Sequence, residues 1–285
     1  MYLRLLYESF NFAWQALKSN VLRTILSLLG VTVGIFAIIA AYTVADAMTR
    51  SINDSLSFLG EKVIYVQKWP WVFDANFPWW KYFNRPSPKY AEYKYLEKNL
   101  VNQAGTSIFD SKGGLTLKSK NNSIEDIAAL GVSYAYNVVT EIPIENGRYF
   151  VPQETESGKH VALIGYEIAN TLFPNSNPIG QTFKIRGIPF VVIATLKKQG
   201  SGLIGGPDFD KATFIPYDAF SRMFQSRYSD PTIAVKGLPD DEGLLELEAE
   251  MRGIMRGKRG LKPSEDDSFS LNRPEMAASV VASIS

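Results

Sequence analysis

The chain has no cysteine and a single histidine, His160, among its 285 residues. Without thiols there is no disulfide and no thiolate metal site, and one imidazole leaves little for a zinc centre or a histidine-based triad. Strong charge of one sign is also lacking. Thirty Lys and Arg face 29 Asp and Glu, for a net charge of +1, so nothing points to a nucleic-acid partner. No G-x-x-x-x-G-K-[ST] phosphate loop and no G-x-S-x-G elbow is present. Gly200-Ser201-Gly202-Leu203-Ile204-Gly205 does fit G-x-G-x-x-G after a strand. A dinucleotide site needs a helix there, and Gly206-Pro207-Asp208-Phe209-Asp210 follows instead, so the segment reads as a flexible hairpin tip. Glu265-Asp266-Asp267 reads as a solvated loop rather than a cation site, and His160 as a strand-edge residue. The expectation is no catalytic residue, no cofactor and no metal.

Long hydrophobic runs are scarce as well, with one exception at the front. Residues 24–45 carry no charge, although 21% of the chain is charged and its mean hydropathy is −0.07. Twenty-two residues at about 1.5 Å each span about 33 Å, against a hydrocarbon core of about 30 Å. The polar side chains within it are Thr24, Ser27, Thr32, Tyr42 and Thr43, whose hydroxyls can bond back to the helix. The run reads as a transmembrane helix. Two alternatives stand beside that reading: a buried soluble helix, and a signal peptide cleaved at Ala45-Asp46-Ala47. The run is longer than the usual apolar region of a signal peptide.

Arg4, Lys18 and Arg23 precede the run against Glu8 alone, which predicts a cytoplasmic N-terminus with the rest of the chain outside. Residues 1–23 read as an amphipathic helix. Leu3, Leu6, Phe10, Ala13, Leu17 and Val21 lie on one face, and Arg4, Glu8, Asn11, Gln15 and Lys18 on the other. Trp14, Lys18 and Arg23 are its membrane-surface anchors. Past the run, Ala45, Met48, Ile52, Leu56 and Leu59 continue one apolar stripe to a stop at Gly60. This predicts a helical stalk over 46–60 whose stripe needs a partner helix.

The remainder predicts an α+β domain. Residues 62–68 read as a strand. Trp69, Trp71, Trp79 and Trp80 then fall in a proline-bearing loop, read either as a contact for a partner or lipid or as a loop folded onto its own domain. A helix is expected to open at Ser87. Two strands are expected around Asn121-Asn122, with further small strands to Gly147. Residues 160–217 read as a buried strand, a short helix, two strands joined at Arg186-Gly187, the glycine-rich loop and another strand. Strand 230–238 follows. The next helix is expected to start near Asp240 or Asp241 with Leu244, Leu247, Met251 and Ile254 inward, and a last strand covers 267–273.

The order of these segments resembles a known family. The front, "LKSNVLRTILSLLGVTVGIFAIIA", resembles the start of the FtsX-like and MacB-like permeases of ABC transporters. The most specific matches are Gly147-Arg148-Phe150, Val161-Ile164-Gly165, Leu172-Phe173, Pro178-Ile179-Gly180 and Val192-Ile193-Ala194. In the last, alanine stands where the family commonly has glycine. The resemblance implies an interfacial helix (1–23), a transmembrane helix (24–45) and a stalk (46–60). A two-lobed periplasmic α/β domain would follow, with a porter-like lobe (61–142 and 228–275) interrupted by a smaller lobe (143–227). Residues 276–285 would begin a second, truncated membrane helix.

The implied function is that of a permease subunit in the bacterial inner membrane. It would couple ATP hydrolysis on a separate cytoplasmic subunit to movement of the periplasmic lobes, for export or extraction of a substrate. Met48, Ile52, Leu56 and Leu59 would be the transmission face. The implied partners are that ATP-binding subunit, a second permease copy, membrane lipid and a periplasmic adaptor or cargo, with no nucleic acid. The alternative is the extracytoplasmic ligand-binding domain of a signalling receptor anchored by one helix.

Overall fold

The computed structural model describes residues 2–57, 60–72, 77–120, 122–200, 208–226 and 229–274. Contacts divide the chain into Met1–Ser51 and Ile52–Ser285.

The first unit is helical. Helix α1 spans Tyr2–Ser19, and α2 runs from Val21 to Ser57, so the chain turns at Asn20 rather than after Arg23. Helix α2 therefore holds the apolar span and most of the expected stalk on one unbroken backbone. Its segment Val21–Ala47 is long and apolar enough to cross a membrane. Two of the hydroxyls within it bond back to the backbone: Thr43 Oγ1 donates to Ile39 O at 2.8 Å, and Thr24 Oγ1 to Asn20 O at 3.2 Å.

The second unit is built on ten strands, β1 (Val63–Gln67), β2 (Gln103–Ser119), β3 (Asn122–Val132), β4 (Ile144–Gly147), β5 (Val161–Ile164), β6 (Thr182–Ile185), β7 (Ile188–Leu196), β8 (Ala212–Pro216), β9 (Thr232–Gly237) and β10 (Ser270–Asn272). Its helices are α3 (Trp79–Phe83), α4 (Tyr90–Asn99), α5 (Tyr136–Val139), α6 (Pro152–Ser157), α7 (Tyr166–Leu172), α8 (Tyr217–Phe224) and α9 (Leu245–Lys258). The sheet order is β10-β1-β9-β2-β3-β8-β5-β7-β4, and β6 pairs with both β2 and β7. The pairings β2–β3–β8–β5–β7–β6–β2 thus close into a ring. Strands β10, β1 and β9 extend from β2 as a flap of sheet.

Two helices cover the flap. Leu247, Met251 and Met255 of α9 recur at four-residue spacing and are buried with Leu96 of α4 against Ile64, Val66, Ile108, Ile233 and Val235. Helix α9 starts at Leu245, later than its sequence suggested. Asp241 still caps it from a short 3-10 turn, with its carboxylate accepting from Leu247 N at 3.0 Å and Glu246 N at 3.3 Å. Arg259 ties the two helices by pairing with Glu92 at 2.7 and 3.1 Å.

The ring strands share a second cluster, in which Leu117, Ile127, Ile164, Phe183, Phe190 and Ile215 pack with Ile168 of α7 and Phe220 of α8. Their opposite side forms a third cluster around Leu163, Phe214 and Phe150. Strand β2 is long enough to serve more than one cluster, with Ile108 in the first and Leu117 in the second.

Other expectations shift in detail. Helix α4 opens at Tyr90 rather than Ser87, because Glu92 Oε2 accepts from Lys89 N at 2.8 Å and fixes the first turn there. Residues 136–139 form a helical turn where small strands were expected. The hairpin at Arg186-Gly187 is as expected, with φ of +51° and +86° matching a two-residue turn with both central residues left-handed. The turn residue Asn121, the glycine-rich stretch 201–207 and residues 275–285 lie outside the described residues.

Candidate functional site

The expected site residues fall in three places. The first is α1 and the start of α2. Phe10 and Trp14 stack at 6.5 Å and are exposed, with the Lys18 ammonium 5.9 Å from the Trp14 ring. An aromatic side chain with a cation beside it on an exposed helix suits a membrane surface. Arg23 is exposed at the start of the apolar span.

The second place is the stalk. Met48, Ile52 and Leu56 lie on the helical backbone of α2. Their side chains, and Leu59 altogether, are outside the described residues.

The third is the tryptophan-rich segment, whose four indoles divide into two pairs. Trp69 and Trp71 belong to their own domain. Asn272, 3% exposed, donates from Nδ2 to Trp69 O at 2.8 Å and to Gln67 Oε1 at 2.9 Å, and accepts from Trp71 N at 3.0 Å. The Trp71 indole N–H donates to Gln67 Oε1 at 2.5 Å, and its ring lies 5.2 Å from Tyr65. Trp69 continues into a stack with Tyr82 at 6.2 Å. Arg85 closes that stack 4.0 Å from the Tyr82 ring, held by Phe269 O and Ser270 Oγ. Trp79 and Trp80 are 59% and 58% exposed on α3, beside Phe83 at 63%. They form an aromatic knuckle on the same short helix as Lys81, with Lys68 lying 5.4 Å from the Phe83 ring. Nothing in the sequence sorts the pairs, because the deciding residue, Asn272, is about two hundred positions away.

The motif residues have structural roles. At Gly147 φ is +95°, and an added Cβ would stand 2.2 Å from Ile193 O, so only glycine fits where β4 meets β7. Arg148 then makes a two-pronged pair with Glu154, both bonds at 2.8 Å. Glu154 also accepts from Val151 N at 3.2 Å and lies 3.4 Å from Lys159 Nζ. The Arg148 hydrogen bonds are the chief cause that lowers its carboxyl to about 2. Phe150 is buried in the third cluster. Arg148 was legible in the sequence, whereas its partner Glu154 was not singled out.

A polar cleft of about 690 Å³ lies between the start of α4 and α8, where Tyr90 and Tyr217 stack at 5.7 Å. Burial pushes the carboxyls of Asp110 and Asp218 in this cleft above their ordinary range. No nucleophile–base pair accompanies them among the described residues, and those residues hold no group of three or more metal-ligating side chains. The expected solvated loop at Glu265-Asp266-Asp267 differs in one respect. Asp267 is ion-paired with Arg256 at 2.6 Å and Arg252 at 3.1 Å, because α9 presents both cations at four-residue spacing. His160 stands at the entry to β5 with its ring 4.9 Å from Phe190, as a strand-edge residue would.

Comparison with known proteins agrees with this architecture. A family model described as the MacB-like periplasmic core domain matches residues 24–254. The chain is similar to a macrolide export ATP-binding/permease protein MacB of Marinobacter nauticus, 26% identical over 257 residues covering 90% of this chain and 38% of that protein. It is also similar to a pyoverdine export ATP-binding/permease protein PvdT of Pseudomonas aeruginosa, 25% identical over 89% of this chain and 37% of that one. It therefore spans little more than a third of the length of these relatives. Among solved structures, the periplasmic region of MacB from Actinobacillus actinomycetemcomitans superposes with a TM-score of 0.61 at 16% identity, covering 81% of this chain and 97% of that one. The extracellular domain of the transporter YknZ from Gram-positive bacteria gives 0.55 at 18% identity, over 73% and 98%. With a family match across most of its length and the same domain fold, the chain belongs to the family of the MacB-like periplasmic core domain.

Proposed function

We propose that the chain is the permease part of an ABC transporter of the bacterial inner membrane and that its work is mechanical. The observation that carries this reading is the family match over 24–254, joined to a helix that carries the apolar span and continues to Ser57. The N-terminus lies in the cytoplasm beside an ATP-binding subunit, and residues 60–274 lie outside. Two permease copies are drawn together when nucleotide binds, and Met48, Ile52, Leu56 and Leu59 carry that closure to the domain. The relatives are named as ATP-binding and permease functions in one protein. Residues 1–285 hold no phosphate-loop sequence, so ATP hydrolysis is assigned outside them.

The flap covered by α4 and α9 serves as one lobe and the ring as the other. Strand β2 contributes to both, with Ile108 in the flap cluster and Leu117 in the ring cluster. The knuckle of Trp79, Trp80 and Phe83 is the surface that meets a second protein or cargo. It is exposed and follows the end of β1 opposite the one where the chain arrives from α2.

The test uses the absence of native cysteine. Val101→Cys, at a 79% exposed position, takes a spin label in each permease copy of the assembled transporter. The label-to-label distance should change when ATP is added. Ile52→Asp with Leu56→Asp should abolish that change while ATP hydrolysis by the partner persists. A distance change that survives both substitutions rules out the stalk as the transmitting element.

A further inference from the structure

The ring of strands is closed at one place by very little. Strands β2 and β6 meet in only two residue pairs, Leu117↔Ile185 and Lys118↔Lys184. The first pair is buried in the ring cluster. The second lies on the other face, exposed, and sets two lysines directly across from each other. Like charges in that position oppose pairing. No carboxylate lies within ion-pairing distance of Lys118 or Lys184 among the described residues, nor of Lys112 or Arg186 beside them. Arg186 is steered to the same place, with one N–H donated to Met223 O at 3.3 Å and its guanidinium 5.6 Å from the Phe224 ring.

These four cations line a single groove of about 730 Å³ between residues 112–118 of β2 and the β6–β7 turn. Leu115 and Phe224 supply its apolar surface, and Gly114 and Gly187 carry no side chain to block it. Four cations with no acidic partner among the described residues, gathered around an apolar floor, match a ligand with an anionic head and an apolar body. An extended peptide adding to the β2 edge fits less well. The register of β2 is irregular between Lys112 and Leu117, and such irregularity blunts an edge against pairing.

We propose that this groove binds a small amphiphilic anion, a phosphate, sulfonate or carboxylate on an aromatic or acyl body. The head sits between Lys118 and Lys184 with Arg186 beside it, and the body lies on Leu115 and Phe224. Binding relieves the repulsion across the β2–β6 closure, so the ligand also tightens the ring. The inference stands on the groove alone and does not depend on the transport reading above.

The test is equilibrium dialysis of 2-naphthyl phosphate against the full chain in nanodiscs, with empty nanodiscs as blank. The paired variant Lys118→Gln/Lys184→Gln should bind about tenfold more weakly or worse, since it loses the charge-assisted bonds to the head. Inorganic phosphate and 2-naphthol should each compete poorly. The ligand should raise the thermal midpoint of the unmodified chain and leave that of the variant unchanged, with far-UV circular dichroism confirming that both are folded. Equal binding by the variant, or no binding by the unmodified chain, overturns the site. Competition by inorganic phosphate as strong as by the naphthyl ester overturns the apolar half of the proposal.

Discussion

Replacing Glu154 by glutamine removes one charge and little else, because an amide can still accept from Val151 N in the capping position. The carboxylate is 5% exposed and is held by Arg148 in two bonds and by Lys159, whose side chains are 51% and 61% exposed. Its carboxyl is lowered from 4.5 to about 2, chiefly by the hydrogen bonds from Arg148. A folded-state value below the unfolded one means stability that is fully present above about pH 4.5 and is lost as pH falls towards 2. At about 1.4 kcal/mol per tenfold change in acidity, the unscreened contribution is roughly 3 kcal/mol. Water around both cations reduces it to about 1.5–2 kcal/mol. For a unit of this size, that lowers Tm at pH 7 by about 3–8 °C. Thermal unfolding followed by circular dichroism should show this gap, and the gap should shrink to about half by pH 3 as the wild-type carboxylate loses its advantage. A gap of the same size at both pH values would mean that the side chain acts through its shape rather than its charge.

Backbone geometry offers a second test. Gly147→Ala combines a φ of +95° with a Cβ 2.2 Å from Ile193 O, and should destabilise by about 3 kcal/mol or more. Gly187→Ala, with φ +86° and nothing within 4 Å, should cost only about 1 kcal/mol; urea midpoints compare the two directly. The indoles should separate in the same way. Trp79→Ser with Trp80→Ser should leave the urea midpoint nearly unchanged, whereas Trp71→Ala should cost about 3 kcal/mol because it empties the space against Tyr65. If the exposed pair proves the more costly, the division of the segment into anchor and knuckle is wrong.

Much of the fold was legible where the signal is local. The charge-free run gave the long helix, and the apolar run at 161–164 gave β5. Arg186-Gly187 marked its hairpin because it interrupts two strand-like apolar runs with a glycine. The closure of the ring was not legible. Its β2–β6 pairs join residues nearly seventy positions apart, and no local pattern announces such a pairing. The tryptophans were noticed as a group but could not be sorted, since Asn272 decides their fate from the far end of the domain. Helix α9 was found by its periodicity but misplaced at its start, because Asp241 caps it across an intervening 3-10 turn instead of from the adjacent position.

Strand β2 has a consequence for how the domain is made. It can form a hairpin with β3 at once, because their residues are close in sequence. Its other edge waits for β6 and then for β9, where Phe109 meets Thr232, 123 positions later. Closing so long a loop is slow. A chain made from its N-terminus therefore exposes a bare strand edge while most of the remaining domain is still to arrive. The order of synthesis and the order of sheet assembly run in the same direction, and the last strands to be made, β9 and then β10, finish the flap.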